Sequence, residues 1–164
     1  MNVIFLDIDG VLNSDHHYRT RKKPTTKEEH PYCEIDLKSL NILNEVVKLT
    51  DSKVVVSSTW RRKNTLERLR EIFTFVGSKF EIFDVTPIKG NMNRRYGEVI
   101  RGYEINEWLS NHPDVKNYVI LDDDQDFLEE QQPHFIHIRD YNGLNNTHIE
   151  KIKNILNKTN NENH

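Results

Sequence analysis

Cysteine is nearly missing from this 164-residue chain: Cys33 stands alone, which excludes an internal disulfide. A lone thiol with no basic neighbour beside it reads as inert, and a reducing cytoplasm is the expected setting. No apolar run approaches the roughly 20 residues that a membrane-spanning helix requires, so no membrane partner is expected. Nor does the start have the layout of a signal peptide, because Met1 leads almost at once into an apolar strand pattern. Excess positive charge is lacking too. With 23 basic against 26 acidic residues the net charge is −3, which excludes a polycation built to coat nucleic acid with its whole surface. There is no internal repeat, and the length leaves room for one domain with a real core and little more.

What the chain does have is regular alternation of strand and helix patterns. Val3–Leu6, Val54–Val56, Phe80–Val85, Tyr118–Leu121 and Phe135–Ile138 read as strands, several of them apolar throughout and so buried on both faces. Between them lie helical patterns: Leu37, Leu40, Leu43 and Val47 behind an Asp36 cap, then Leu66 to Val76 behind an Asn64 cap and stopped by Gly77. A short helix carries Ile105, Trp108 and Leu109, and a last one Ile149, Ile152, Ile155 and Leu156. The expected fold class is therefore α/β, Rossmann-like, with a five-stranded and mainly parallel sheet flanked by helices. One domain over residues 1–157 and a polar tail over 158–164 are expected. Residues 13–35 are polar and long for a connection, and read as a substrate-facing flap.

In such sheets ligands bind beyond the carboxyl ends of the strands, and three ends here carry unusual residues. Asp7 and Asp9 follow the first strand; two apart on extended backbone, they leave the same face, and Gly10 then allows a sharp turn. Two close carboxylates repel unless one holds a proton or a cation sits between them. Ser57 and Ser58 close the second strand, where hydroxyls and free N–H groups suit phosphate oxygens, and Arg61 lies just beyond, able to fork onto the same group. Asp122, Asp123, Asp124 and Asp126 follow the fourth strand, and consecutive carboxylates there suit a hard cation such as Mg2+.

This set resembles the haloacid dehalogenase (HAD) superfamily from Asp7 to about Asp126. Its first motif is matched by Asp7, Asp9 and Val11, its second by Val54-Val55-Val56-Ser57, its fourth by Asp122-Asp123. Its third, a basic residue near a helix start, is matched by Arg101, 21 positions before Asp122; Lys89, Arg94 and Arg95 are alternatives. The resemblance implies a phosphatase rather than a dehalogenase, since Asp9 is retained. It implies Asp7 as nucleophile, Asp9 as acid/base, Ser57 and Arg101 on the phosphoryl group, and Mg2+ on Asp7, the Asp9 carbonyl, Asp122 and Asp123. The runs Phe5 to Asn13, Ser57 to Arg61 and Arg101 to Ile105 further resemble small, uncapped HAD domains of nucleic-acid repair proteins, implying a nucleotide or a phosphorylated DNA or RNA end as substrate. A small phosphoester, a phosphoprotein, or a catalytically silent binding module are the alternatives.

Other features have plainer readings. The basic stretch Arg19 to Lys27 is either solvated or substrate-facing, and His16 and His17 read as surface residues of the same loop. His134 and His137 have zinc-like spacing without cysteine partners and read as core or edge residues. Trp60 and Trp108 read as core aromatics, with Trp60 near enough to the second strand end to stack on a base.

Overall fold

The computed structural model describes residues 1–89, 100–139 and 141–158. In chain order the elements are β1 (Asn2–Leu6), α1 (Asp15–Thr20), α2 (His30–Glu34), α3 (Leu37–Thr50), β2 (Ser52–Val56), α4 (Leu66–Val76), β3 (Ile82–Val85), α5 (Ile100–Ser110), β4 (Asn117–Asp122), β5 (Phe135–His137) and α6 (Ile149–Leu156). Short 3-10 turns occupy Thr59–Arg62, Glu129–His134 and Asn146–His148. The five strands form one sheet in the order β3-β2-β1-β4-β5, and every pairing is parallel. The α/β Rossmann-like arrangement is as expected, with the sheet wholly rather than mainly parallel.

The apolar runs explain the layering. On one face Ile4, Leu6, Val54, Val56, Val119 and Leu121 pack with Leu40 and Leu43 of α3, Leu69 and Phe73 of α4, and Ile152 and Leu156 of α6. On the other, Val3, Phe5, Val55 and Ile120 pack with Ile105 and Trp108 of α5 and with Phe127. Strands buried on both faces need apolar residues at every position, and β1 supplies them from Val3 onward. Trp108 is a core aromatic, as its spacing suggests, with its indole N–H donating to Asp84 at 2.7 Å.

Caps largely follow the sequence. Asp36 accepts from the Lys38 amide at 2.9 Å, and Gly77 ends α4 in the left-handed region at φ 97°. The cap of α4 is Thr65 rather than Asn64. The Thr65 hydroxyl accepts from the Arg68 amide, three residues on, whereas the Asn64 amide is drawn back to the Trp60 carbonyl at 3.0 Å. The segment expected as a flap is folded: α1 and α2 lie within it, and Asn13, Ser14 and Glu34 are buried. Arg94 and Arg95, and residues 159–164 of the polar tail, lie outside the described residues. No helix among the described residues is long and apolar enough to cross a membrane.

Register places the site. Leu6 is level with Val56 on β2 and with Leu121 on β4. The next residue on each strand is Asp7, Ser57 or Asp122, so all three leave the sheet at one height. Leu6, Val56 and Leu121 belong to the core beneath α3, α4 and α6, so strand alternation sends their successors to the α5 side. Chain order also reverses here, because β2 and β3 lie on one side of β1 and β4 and β5 on the other.

Candidate active site

Asp7, Asp122 and Asp123 converge, each offering a carboxylate oxygen within 4.8 Å of the others. Backbone bonds fix the convergence: the Asp7 amide donates to the Leu121 carbonyl at 2.9 Å, and the Ser57 amide to the Leu6 carbonyl at 3.0 Å. Asp7 and Asp122 are buried, while Asp123 faces solvent. Gly10 lets Asp123 come so close. Its φ is +77°, and a Cβ there would lie 2.3 Å from Asp123 Oδ2.

Arg101, in the first turn of α5, enters this cluster. Its Nη1 donates to Asp122 Oδ2 at 2.5 Å and lies 3.1 Å from Asp7 Oδ1, and its Nε is 3.8 Å from Asp126 Oδ1. Lys89, one of the three alternatives, is instead paired with Glu107 at the surface. Burial alone disfavours the charged guanidinium, but Asp122, Asp7 and Asp126 outweigh it and hold Arg101 above its ordinary pKa. Burial pushes the Asp7 carboxyl up to about 6, with Arg101 and the Ser58 hydroxyl pulling it down and Asp123 and Asp9 pushing it up. Asp122 is raised well above its usual range by burial and by Asp7, and Asp123 is raised by burial and by Asp124.

Were all three carboxylates ionised, as a bound cation would favour, the one guanidinium that the described residues place among them would leave the cluster about two charges short of neutrality. The Ser57 hydroxyl is buried with no hydrogen-bond partner, which is costly unless a ligand supplies one. All-oxygen donors, a deficit of two charges and an orphaned hydroxyl beside them fit a small hard dication together with an oxyanion. The Asp124 backbone amide donates to Asp122 Oδ1 at 2.9 Å and so orients that carboxylate.

Asp9 stands apart from the cluster. Its Oδ1 accepts from Asn13 Nδ2 at 2.7 Å and from Trp60 Nε1 at 3.2 Å. Asn13 is itself fixed, accepting from the Gly10 amide at 2.9 Å and donating to the Tyr18 hydroxyl at 3.0 Å. With Oδ1 saturated by two donors, Oδ2 is the oxygen left to hold or release a proton. Nothing in the sequence pattern marks these two donors as supports of Asp9. Trp60 is partly buried and packs against the core, as expected, but its indole N–H also serves Asp9, and Asn13 had only its place four residues after Asp9 to mark it.

Arg61 differs from expectation. Its guanidinium is buried and donates to the carbonyls of Thr86 at 3.0 Å, Ser58 at 2.7 Å, Ser57 and Pro87, and to the Glu104 carboxylate. A side chain so engaged cannot fork onto a phosphate; it ties the ends of β2 and β3 to α5. The Ser58 hydroxyl caps the turn that carries Trp60 and Arg61 and bonds to Asp7, leaving Ser57 as the unpartnered one. His134 and His137 bind separate carbonyls, of Tyr118 and Asp123, and share no metal position.

A family model for the HAD domain in Swiss Army Knife RNA repair proteins matches residues 3–149. The chain belongs to that family. No curated protein and no solved structure gave a match. Membership supports phosphatase chemistry of the HAD type in general, and the family match covers the sheet from Val3 onward and all the site residues above.

Proposed function

We propose that residues 1–157 form one Mg2+-dependent phosphomonoesterase domain that works through a phosphorylated Asp7. The observation that carries this reading is the shared register of β1, β2 and β4, which delivers Asp7, Ser57 and Asp122 together beside Arg101.

An Asp7 carboxylate oxygen attacks phosphorus, and the bond from phosphorus to the leaving oxygen breaks as Asp9 donates its proton there. Water then attacks the aspartyl phosphate and gives a proton to Asp9, which releases inorganic phosphate and restores both carboxyls. Asp7, Asp122, Asp123 and the Asp9 carbonyl would hold Mg2+. When bound, the ion offsets the charge of the carboxylates and of the transferring phosphoryl group. Ser57 donates to a phosphoryl oxygen, and Arg101 holds Asp7 and Asp122 in place while remaining within reach of the same group. Asn13 and Trp60 orient Asp9, and Arg61 braces the strand ends on which the site stands.

Family membership favours a phosphorylated RNA or DNA end, or a nucleotide, as substrate over other phosphoesters. Hydrolysis of p-nitrophenyl phosphate with Mg2+ tests the reaction. It should vanish with EDTA and in Asp7→Asn; a folded wild-type protein inert toward every phosphoester offered would refute it. A panel of 3′- and 5′-phosphorylated oligonucleotides beside nucleoside monophosphates tests the substrate.

A further inference from the structure

Next to Asp9 opens a cavity of about 720 Å³ walled by the 24–34 segment on one side and the turn after β2 on the other. Because Asp9 must reach the leaving oxygen, whatever departs from phosphorus has to occupy the space on this side. Resting on the phosphatase reading, we propose that this cavity holds the terminal nucleoside of a nucleic-acid strand, and that Lys27 and Lys63 at its walls bind the next phosphate.

Three observations carry this. The walls include the rings of Trp60 and Tyr18 and the apolar Pro31, surfaces on which a base can stack. The Trp60 ring is already oriented by its bond to Asp9, so stacking on it would set the leaving group against the acid. Lys27 and Lys63 are both exposed and line the same cavity, and neither has an ion-pair partner among the described residues. The other carboxylate lining this cavity besides the partly buried Asp9, that of Glu34, lies 2.7 Å from the Arg21 guanidinium and so adds little repulsion. A leaving group with a flat ring and an anion beyond it matches this lining; an alkyl or sugar phosphate does not.

The test compares three substrates carrying the same terminal phosphate: a nucleoside monophosphate, the corresponding nucleoside 3′,5′-bisphosphate, and a dinucleotide. In wild type with Mg2+, the dinucleotide is expected to have a KM about 10-fold below that of the monophosphate, and its log KM a steeper dependence on log salt by about 0.7. A similar gain for the bisphosphate would mean that the second phosphate suffices; a further gain for the dinucleotide would mean that the second nucleoside is felt too. Either supports the proposal. In Lys27→Ala/Lys63→Ala the dinucleotide advantage and the extra salt slope should both collapse, whereas Lys48→Ala on α3 should change neither. Equal KM values for dinucleotide and monophosphate in wild type, or an advantage that survives the double substitution, would overturn it. If no phosphoester is turned over at all, the phosphatase reading fails first. Anisotropy of a labelled, phosphorylated dinucleotide with Asp7→Asn and Mg2+ then decides the cavity separately: binding weakened about 10-fold by the two lysine substitutions supports it, and unchanged binding rejects it.

Discussion

Arg101 Nη1 lies 2.5 Å from Asp122 Oδ2, and the same nitrogen is 3.1 Å from Asp7 Oδ1. One buried cation thus holds two buried carboxylates that would otherwise repel. In Arg101→Met those carboxylates lose the one basic partner that the described residues give both of them. Without divalent ion at about pH 7.5, the substitution should cost on the order of 3–5 kcal/mol of unfolding free energy. At about pH 5, where the carboxyls can take up protons, the cost should shrink. Urea titrations with EDTA at both values check this, and equal losses would contradict the pairing.

The wild-type protein should show a related pH dependence. Asp7 titrates at about 6 when folded and near 3.8 when unfolded, its folded pKa being raised chiefly by burial. A raised carboxyl contributes stability in full below about pH 4 and loses it as pH climbs through about 6. Asp122 and Asp123 are shifted in the same direction. Metal-free protein should therefore be less stable at about pH 7 than at about pH 5, and Mg2+ should raise the melting temperature more at the higher pH. A metal-free melting temperature that rises over this range would contradict the assignment.

Asp9 and its two donors can be separated by choice of leaving group. Asp9→Asn should lower kcat about 100- to 10,000-fold on a nucleotide, whose leaving oxygen needs a proton. On p-nitrophenyl phosphate, whose leaving group departs readily as an anion, the loss should be smaller. Trp60→Phe keeps a ring but removes the N–H to Asp9, and is expected to lower kcat on the nucleotide about 10-fold with the same dependence on leaving group. Losses independent of the leaving group would count against Asp9 as the acid.

Arg61 and Glu104 are both buried, and Arg62 lies 3.7 Å from the other Glu104 oxygen, so removing Glu104 takes away the carboxylate of Arg61 while removing Arg61 still leaves Glu104 a guanidinium. Glu104→Ala should destabilise the fold by about 3–5 kcal/mol, and Arg61→Ala by less. Denaturant midpoints measure both. If Arg61→Ala kept its stability and lost only substrate affinity, the guanidinium would be a phosphate ligand after all.

Gly10→Ala places a methyl group where Asp123 now lies, on backbone with φ of +77°. Displacing Asp123 should weaken Mg2+ binding about 10-fold or more, read by the magnesium dependence of activity. An unchanged magnesium requirement would remove Asp123 from the metal site.

Composition and pattern were enough for the architecture. Apolar runs at β1, β2 and β4 with amphipathic stretches between them permit little besides a parallel sheet covered on both faces, because only such a sheet buries every residue of a strand. The same pattern marked Asp7, Ser57 and Asp122 as the first polar residues after those runs, and hence as strand-end groups. Arg101 was legible through its spacing from Asp122 and through the run Arg101 to Ile105, whereas its pairing with two carboxylates was not.

Tertiary structure decided what each polar group does. Arg61 and Trp60 sit side by side in sequence after β2, yet one turns inward to carbonyls and Glu104 while the other turns outward to Asp9. No periodicity predicts that split, because it depends on α5 and on the residues after β1, which arrive from distant parts of the chain. Likewise the polar stretch after Asn13 carries no strong pattern, and its burial follows from contacts such as the Arg21–Glu34 pair and the Asn13–Asp9 bond. Sequence determines which residues must leave water; which neighbour then meets each buried charge is settled only when the strands pair in register.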